Sequence, residues 1–266
     1  HQKLMIVGGM ESKSLAPRKA YQSHDERFDS NQEFFATAKF SPNQVGDFPL
    51  LEAAKTVALK YGIAKEQMLV WANSSHQKAF FSQENGILKP FIEKISEKHS
   101  DQSIRPEIDL FKLATNDLID RTVSAHYNDA AACILIGNTH EKLKPVAKII
   151  ATASMGCSPE HAPEGVIFAT KNLFENSEIG IEQIELFEIN ESFALIPLIF
   201  AKVFEIDTAK INILGGNLAF GHPFGASGAI NLIHLIASLK FKKLKYGLAV
   251  IPAAGGQATA VLIENI

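Results

Sequence analysis

The stretch Ile184-Glu185-Leu186-Phe187-Glu188-Ile189-Asn190-Glu191-Ser192-Phe193-Ala194 changes character midway, and that change decides the fold class. Residues 184–189 alternate with period two, as a half-buried strand should. From Ser192 to Phe204 the chain is largely apolar, which predicts a helix buried on most faces. A strand thus runs almost directly into a helix. Downstream, Lys210 to Leu214 reads as a strand, Ala226 to Leu239 as a helix, and Leu248–Ile251 and Ala258–Ile263 as strands. The last two are joined by Ala253-Ala254-Gly255-Gly256, so that pair is expected to be antiparallel. Upstream, Val146 to Ala153 is a strand and Val166 to Phe174 an amphipathic helix. Strands alternating with helices imply an α/β fold, with a mostly parallel sheet covered on both faces.

Residues 11–121 have a different texture, polar and helix-rich. Leu50 to Leu59 carries apolar residues at helical spacing and stops at Tyr61-Gly62. Lys65 to Asn85 reads as a second helix ending at Gly86, and Lys98 to Asp109 as a polar loop. This stretch is expected to be a helical excursion from a sheet-based body. Residues 4–8, Thr122-Val123-Ser124 and Ala131 to Ile136 supply further strand material, expected to belong together.

Composition narrows the function classes. The chain has 266 residues, 46% hydrophobic and 21% charged, which is ordinary globular composition. A formal net charge of −3 gives no basic footprint for nucleic acid. Two cysteines make no disulfide framework, and no Cys/His spacing marks a metal site, so a reducing, cytoplasmic setting is expected. Apolar runs are too short to span a bilayer. The chain opens on His1-Gln2-Lys3-Leu4 with no initiator Met and no lead-in, and is expected to be a truncated piece.

Three strand-end loops carry the candidate chemistry. Gly215-Gly216-Asn217-Leu218-Ala219-Phe220-Gly221-His222-Pro223-Phe224-Gly225-Ala226-Ser227-Gly228 holds five glycines. It leads into a helix N-terminus, yet no Gly-Lys-Ser/Thr follows, so a phosphate cradle fits poorly. The other reading presents the His222 ring from a rigid turn, as hydrogen-bond donor or general base. Asn190 and Glu191 stand at a strand end, where ligands of open α/β sheets bind, or else serve as helix cap and dipole partner. The loop Pro252-Ala253-Ala254-Gly255-Gly256-Gln257 is a plain hairpin turn or a set of oxyanion N–H donors. All three lie on one sheet and are expected to converge.

The motifs in their order resemble the thiolase family, the acetyl-CoA acetyltransferases and 3-ketoacyl-CoA thiolases. Val7-Gly8-Gly9-Met10-Glu11-Ser12 with Ala16-Pro17, Ser75-His76-Gln77-Lys78-Ala79, Asn128-Asp129-Ala130, Asn190-Glu191-Ser192-Phe193-Ala194 and residues 215–229 carry the likeness. The resemblance implies a thiolase-like core, a mixed five-stranded sheet with helices on both faces, plus a helical loop domain, with the first core half incomplete. Residues 1–10 and 122–138 would be the remnant of the N-terminal core, 11–121 the CoA-binding loop domain and 139–266 the C-terminal core domain. Roughly a hundred residues of a βαβαβ half would be missing.

The implied activity is acyl transfer through an acyl-cysteine. His222 would activate the nucleophile and help hold the thioester oxygen. Asn190 would hold a water in the same oxyanion site, and the Ala254 backbone N–H would complete it. Ser75, Phe193, Ala219, Phe220, Gly221 and Gly255 are the implied substrate and CoA contacts. Coenzyme A enters as substrate, with no permanent cofactor and no metal. A homodimer or tetramer, or a chain supplying the missing core, is the implied partner. The sequence departs from the family at several places. Pro252 stands where the acid/base Cys belongs, Leu50-Leu51 replaces Met-Gly, Gly165-Val166 replaces Gly-Pro, and Ile230 replaces Arg. The segment from Ala125 to Asn128 is shortened. Neither Cys133 nor Cys157 sits in a nucleophile elbow, and both are read as structural. The competing reading is a degenerate homologue that binds CoA thioesters or a partner subunit without chemistry.

Overall fold

The computed structural model describes residues 4–26, 28–31, 34, 48–95, 101–138 and 143–266. The chain start His1–Lys3, parts of the excursion 11–121, and residues 98–100 of the expected polar loop lie outside the described residues. Residues 101–109 are irregular, as the sequence predicts.

Strand β1 (Leu4–Glu11) opens the fold. Helices α1 (Leu50–Tyr61), α2 (Lys65–Glu84) and the short α3 (Leu110–Leu113) follow. Next come β2 (Ala130–Gly137), β3 (Ala147–Gly156), α4 (Gly165–Glu175), β4 (Leu186–Ile189) and α5 (Leu195–Phe204). The chain ends with α6 (Asn217–Phe220), α7 (Ser227–Lys242), β5 (Tyr246–Ala253) and β6 (Gln257–Asn265).

Strands β3-β6-β5-β4 form one sheet in that order, while β1 and β2 form a separate antiparallel pair. The sheet is mixed rather than mostly parallel, since β3–β6 and β5–β6 are antiparallel and β4–β5 is parallel. The strand expected over 210–214 shrinks to one parallel bridge, Phe187 to Ile211. Asn212 explains this, because its φ of +46° lies in the left-handed region and ends the extended run.

Period-two alternation sorts the sheet's side chains between two layers. Phe187, Ile189, Leu248, Val250, Ala260 and Leu262 pack with α4 and α5, and that core continues into α1 and α2 through Val57, Met68 and Trp71. Leu186, Ala249 and Ile263 pack with Leu235, Ile236 and Leu239 of α7. Helix α7 also touches β1 and β2, so it lies between the two sheets. With both faces covered, β4 is buried at all four residues, Glu188 included, rather than half-buried. Each buried Leu, Ile or Phe contributes roughly 1.5–3 kcal/mol.

Helix α1 stops where the sequence says, the Gly62 N–H returning to the carbonyls of Ala58 and Leu59. Helix α5 starts at Leu195, not Ser192. Residues 192–194 instead join residues 123–125: the Ala125 N–H donates to Ser192 O at 3.0 Å and the Ala194 N–H to Val123 O at 2.8 Å. The same pairing takes Thr122–Ser124 away from β1, with Ser124 bridged to Phe193. Val123 is fully buried there. No helix among the described residues is long and apolar enough to cross a membrane.

Candidate active site

Two strand-end loops meet at His222. One leaves β4 at Ile189; the other runs from Gly215 to the start of α7. Asn190 extends the β4 ladder by one step, its N–H donating to Val250 O at 2.9 Å. The second loop is shaped by Asn217 and Gly221. Asn217 accepts the Glu191 N–H at 3.1 Å and donates to Gly221 O at 3.2 Å, joining the loops. Gly221 has φ +91°, and a Cβ there would lie 2.5 Å from Asn128 Cγ, so only glycine fits. The His222 N–H then donates to His126 O at 2.8 Å, and Pro223 fixes the chain beyond.

The hydrogen bonds around the ring settle its tautomer. Ser227 Oγ donates its one proton to Pro223 O at 2.9 Å. It must therefore accept from His222 Nδ1, 2.6 Å away. With the proton on Nδ1, Nε2 carries the lone pair. Ser192 Oγ lies 3.1 Å and Asn190 Nδ2 3.4 Å from that nitrogen. Asn190 Nδ2 also donates to Ser192 Oγ at 2.9 Å, and Asn231 Nδ2 donates to Asn190 Oδ1 at 3.2 Å, which fixes the amide's orientation. Burial pushes the His222 pKa down to about 4, so the ring is neutral at pH 7. The result is a neutral imidazole with a lone pair on Nε2 and an amide donor beside it, an arrangement able to take up a proton and to hold a negatively charged oxygen. Phe224 packs edge-on against His222 and Tyr127 edge-on against Phe224; both outer rings are exposed.

Glu191 is neither the cap nor the dipole partner of α5. It is fully buried, and its carboxylate accepts from Trp71 Nε1, Asn212 Nδ2 and Ser75 Oγ, each at 2.8 Å, and from the Leu218 N–H at 3.2 Å. The Ser75 hydroxyl also accepts the Gly216 N–H at 3.0 Å. Ser75, 2% exposed, thus stands inside the strut that holds α2 beneath the site loops. Ala219 is fully buried and Phe193 is 7% exposed, while Phe220 is half-buried at the end of α6. Behind β4, Glu188 is raised well above the usual carboxylate range by burial and by Glu191.

The β5–β6 turn is the third loop. Ala254 is half-buried and Gly255 exposed at its tip. Pro252 is buried in β5 and pairs with Ala258; β4 ends two residues earlier at the Ile189–Val250 pair, so no β4 ladder bond is asked of it. A cavity of about 140 Å³ is lined by Asn231, Val250, Ile251 and Thr259. A larger depression of about 340 Å³ lies at the other end of β4, around Glu185, Lys210 and Lys242, away from this chemistry. No His/Cys/Asp/Glu cluster suited to a metal exists among the described residues. Cys133 is exposed on β2, and burial pushes the Cys157 thiol up, which leaves it a weak nucleophile. Sequence reasoning missed Ser192, Ser227 and Asn231 as site groups. The spacing of Ser227 five residues after His222 was the available signal.

Comparison with known proteins gives the same picture. Residues 143–265 match the family model described as thiolase, C-terminal domain. A probable acetyl-CoA acetyltransferase of Dictyostelium discoideum is 31% identical over all of this chain and 69% of its own length. The mitochondrial acetyl-CoA acetyltransferase A of Xenopus laevis is 28% identical, over all of this chain and 68% of its own. The crystal structure of the Bacillus anthracis acetyl-CoA acetyltransferase superposes with a TM-score of 0.87 at 26% identity, covering 99% of this chain and 72% of that one. A thiolase from Ascaris suum, solved in complex with coenzyme A, gives 0.85 at 26% identity, with 100% and 72% covered. Fold and sequence agree: the chain belongs to the thiolase family.

Proposed function

We propose that this chain supplies the His–Asn half of a thiolase-type acyltransferase site acting on acyl-CoA thioesters, by acetyl-CoA C-acetyl transfer or 3-ketoacyl-CoA thiolysis. One observation carries the reading: the Nε2 lone pair of a neutral His222, oriented through Ser227, stands beside the Asn190 amide donor. In this reading His222 Nε2 takes a proton from the attacking thiol. The Asn190 amide and the Ala254 N–H stabilise the oxygen that gains charge as the thioester is attacked. Coenzyme A is substrate and leaving group, as the coenzyme A complex of the Ascaris relative suggests. Phe220, Gly221 and Gly255 border the volume proposed for the pantetheine arm. The working particle is proposed to be an oligomer.

Pro252 sets the limit of this chemistry. It has no ionisable group, so a proton on the substrate α-carbon finds no base there. Carbon–carbon bond formation and cleavage should therefore be slow, while acyl transfer and thioester hydrolysis remain open. The same proline favours a second reading, in which the chain binds CoA thioesters without turning them over. Transfer of the acetyl group of acetyl-CoA onto an added thiol by the protein, set against a His222→Ala control, separates the two. Activity above the control supports the first reading, and none above it overturns that reading. Calorimetry with CoA then tests the second, which fails if no heat of binding is found.

A further inference from the structure

We propose that Ser192 is itself an acyl acceptor, giving this chain a thioesterase activity that proceeds through an acyl-Ser192 ester. Ser192 Oγ is 3.1 Å from His222 Nε2, the nitrogen that carries the lone pair. Its hydroxyl proton is therefore aimed at a base. That base is oriented by a third group, Ser227 Oγ, 2.6 Å from Nδ1. Nucleophile, base and orienting group in series are the arrangement that activates a hydroxyl. The Asn190 amide, 2.9 Å from Ser192 Oγ, stands where it can donate to the oxygen of an acyl group attached there.

Position and access agree with this role. Ser192 is half-buried, unlike its fully buried neighbour Glu191. Its backbone is held rigidly, because its carbonyl accepts the Ala125 N–H at 3.0 Å. Ser192 also precedes α5, so its side chain is not committed to the interior of a helix. A purely structural serine at this place would need neither the lone-pair nitrogen of His222 nor the oriented amide of Asn190.

The step balances without any outside reagent. The Ser192 Oγ–acyl bond forms as the thioester C–S bond breaks. The hydroxyl proton passes to His222 Nε2 and from there to the departing thiolate, which leaves as free thiol. Water then attacks the ester, returns a proton through His222 Nε2 to Ser192 Oγ, and releases the carboxylic acid. The substrate class rests on the acyl-thioester reading above; the nucleophile rests on geometry alone.

Two acyl donors keep these failures distinct. The protein is incubated with p-nitrophenyl acetate or acetyl-CoA, quenched in acid, and peptide-mapped by mass spectrometry. An acetyl group on Ser192 from acetyl-CoA supports the proposal. It should be absent in Ser192→Ala, with hydrolysis lowered at least about 100-fold, and formed about 10²–10⁴-fold more slowly in His222→Ala. Ser192→Cys should acylate on sulfur, which shows that a folded variant keeps the site. Acylation from p-nitrophenyl acetate alone upholds the nucleophile and sinks the CoA-thioester substrate class. No acylation of residue 192 with either donor, acetyl groups only on Cys133 or Cys157, or Ser192→Ala turning over at the wild-type rate overturns the proposal.

Discussion

Trp71 donates its indole N–H to Glu191 at 2.8 Å, so a helix of the polar excursion is bonded to the strand-end loop that carries Asn190. The two residues are 120 positions apart in the chain. Through this contact the packing of α2 and the geometry of the site become one problem. Moving α2 withdraws two donors from Glu191, the Trp71 indole and the Ser75 hydroxyl, and Glu191 sits between Asn190 and Ser192.

Removing the carboxylate should therefore cost more than removing one donor. Glu191→Ala leaves four buried donors without an acceptor and should lower stability by about 3–5 kcal/mol. Trp71→Phe loses one hydrogen bond to a charged group, for about 1.5–3 kcal/mol, beside the smaller cost of the shortened buried ring. Urea unfolding monitored by far-ultraviolet circular dichroism measures both. Equal losses in the two variants would contradict the shared-acceptor account.

Acid sensitivity follows from the buried histidines. Burial holds His76, His222 and His234 each at about 4, against an ordinary value of 6.5. Between those values the three histidines bind more protons in the unfolded chain than in the folded one, and buried Glu188 does the reverse, so stability rises with pH across the window where the three histidines outweigh the one carboxylate. It is fully present above pH 6.5 and is lost as pH falls towards 4. Each histidine contributes on the order of 1–3 kcal/mol to that loss. Unfolding midpoints at pH 7.5, 6, 5 and 4.5 should fall steadily; a midpoint unchanged down to pH 5 is the opposing result.

Ser227 acts through His222. Ser227→Ala removes the acceptor of the Nδ1 proton and frees the ring to take the other tautomer. Turnover of acyl thioester should drop about 10–100-fold in kcat with little change in KM, because Ser227 is fully buried and bonds the side of the ring away from Nε2. Ser227→Thr keeps the oxygen and should recover part of the rate. A loss confined to KM would show that Ser227 serves binding instead.

The β5–β6 turn depends on Gly256. Its φ is +84°, and a Cβ would lie 2.1 Å from Cys157 O. The Gly256 carbonyl accepts the Cys157 N–H at 2.7 Å, so the turn cannot simply move aside. Gly256→Ala should destabilise by about 2 kcal/mol or more and displace Ala254 with it. Thermal unfolding beside the wild type checks this, and an unchanged transition would count against the close packing.

Much of this molecule is legible in the chain because its signals are local. The apolar spacing of 50–59, the Gly62 stop and the paired strands around Gly255-Gly256 read directly as α1, β5 and β6. His222 and Asn190 stand out by their loops alone. What fails to show is long-range. Ser192–Ala194 has the composition of a helix, but Val123–Ala125 claims its backbone. Ile211 to Leu214 has the composition of a strand, but Asn212 turns left-handed and spends its side chain on both backbone groups of Ile189, each at 2.8 Å. Glu191 looks like a solvated helix-start carboxylate until Trp71 and Ser75 arrive from a distant segment. The same holds for Ser192, whose role depends on a ring 30 residues away.

The chemistry open to this site turns on which nitrogen of His222 carries the proton. Nitrogen-15 spectra of the histidine rings at pH 7, with His222 assigned by its absence in His222→Gln, measure this. The hydrogen-bond chain from Ser227 to Pro223 predicts a protonated Nδ1 and an unprotonated Nε2. A protonated Nε2, or a doubly protonated ring at that pH, would contradict it and leave Ser192 and Asn190 facing no base.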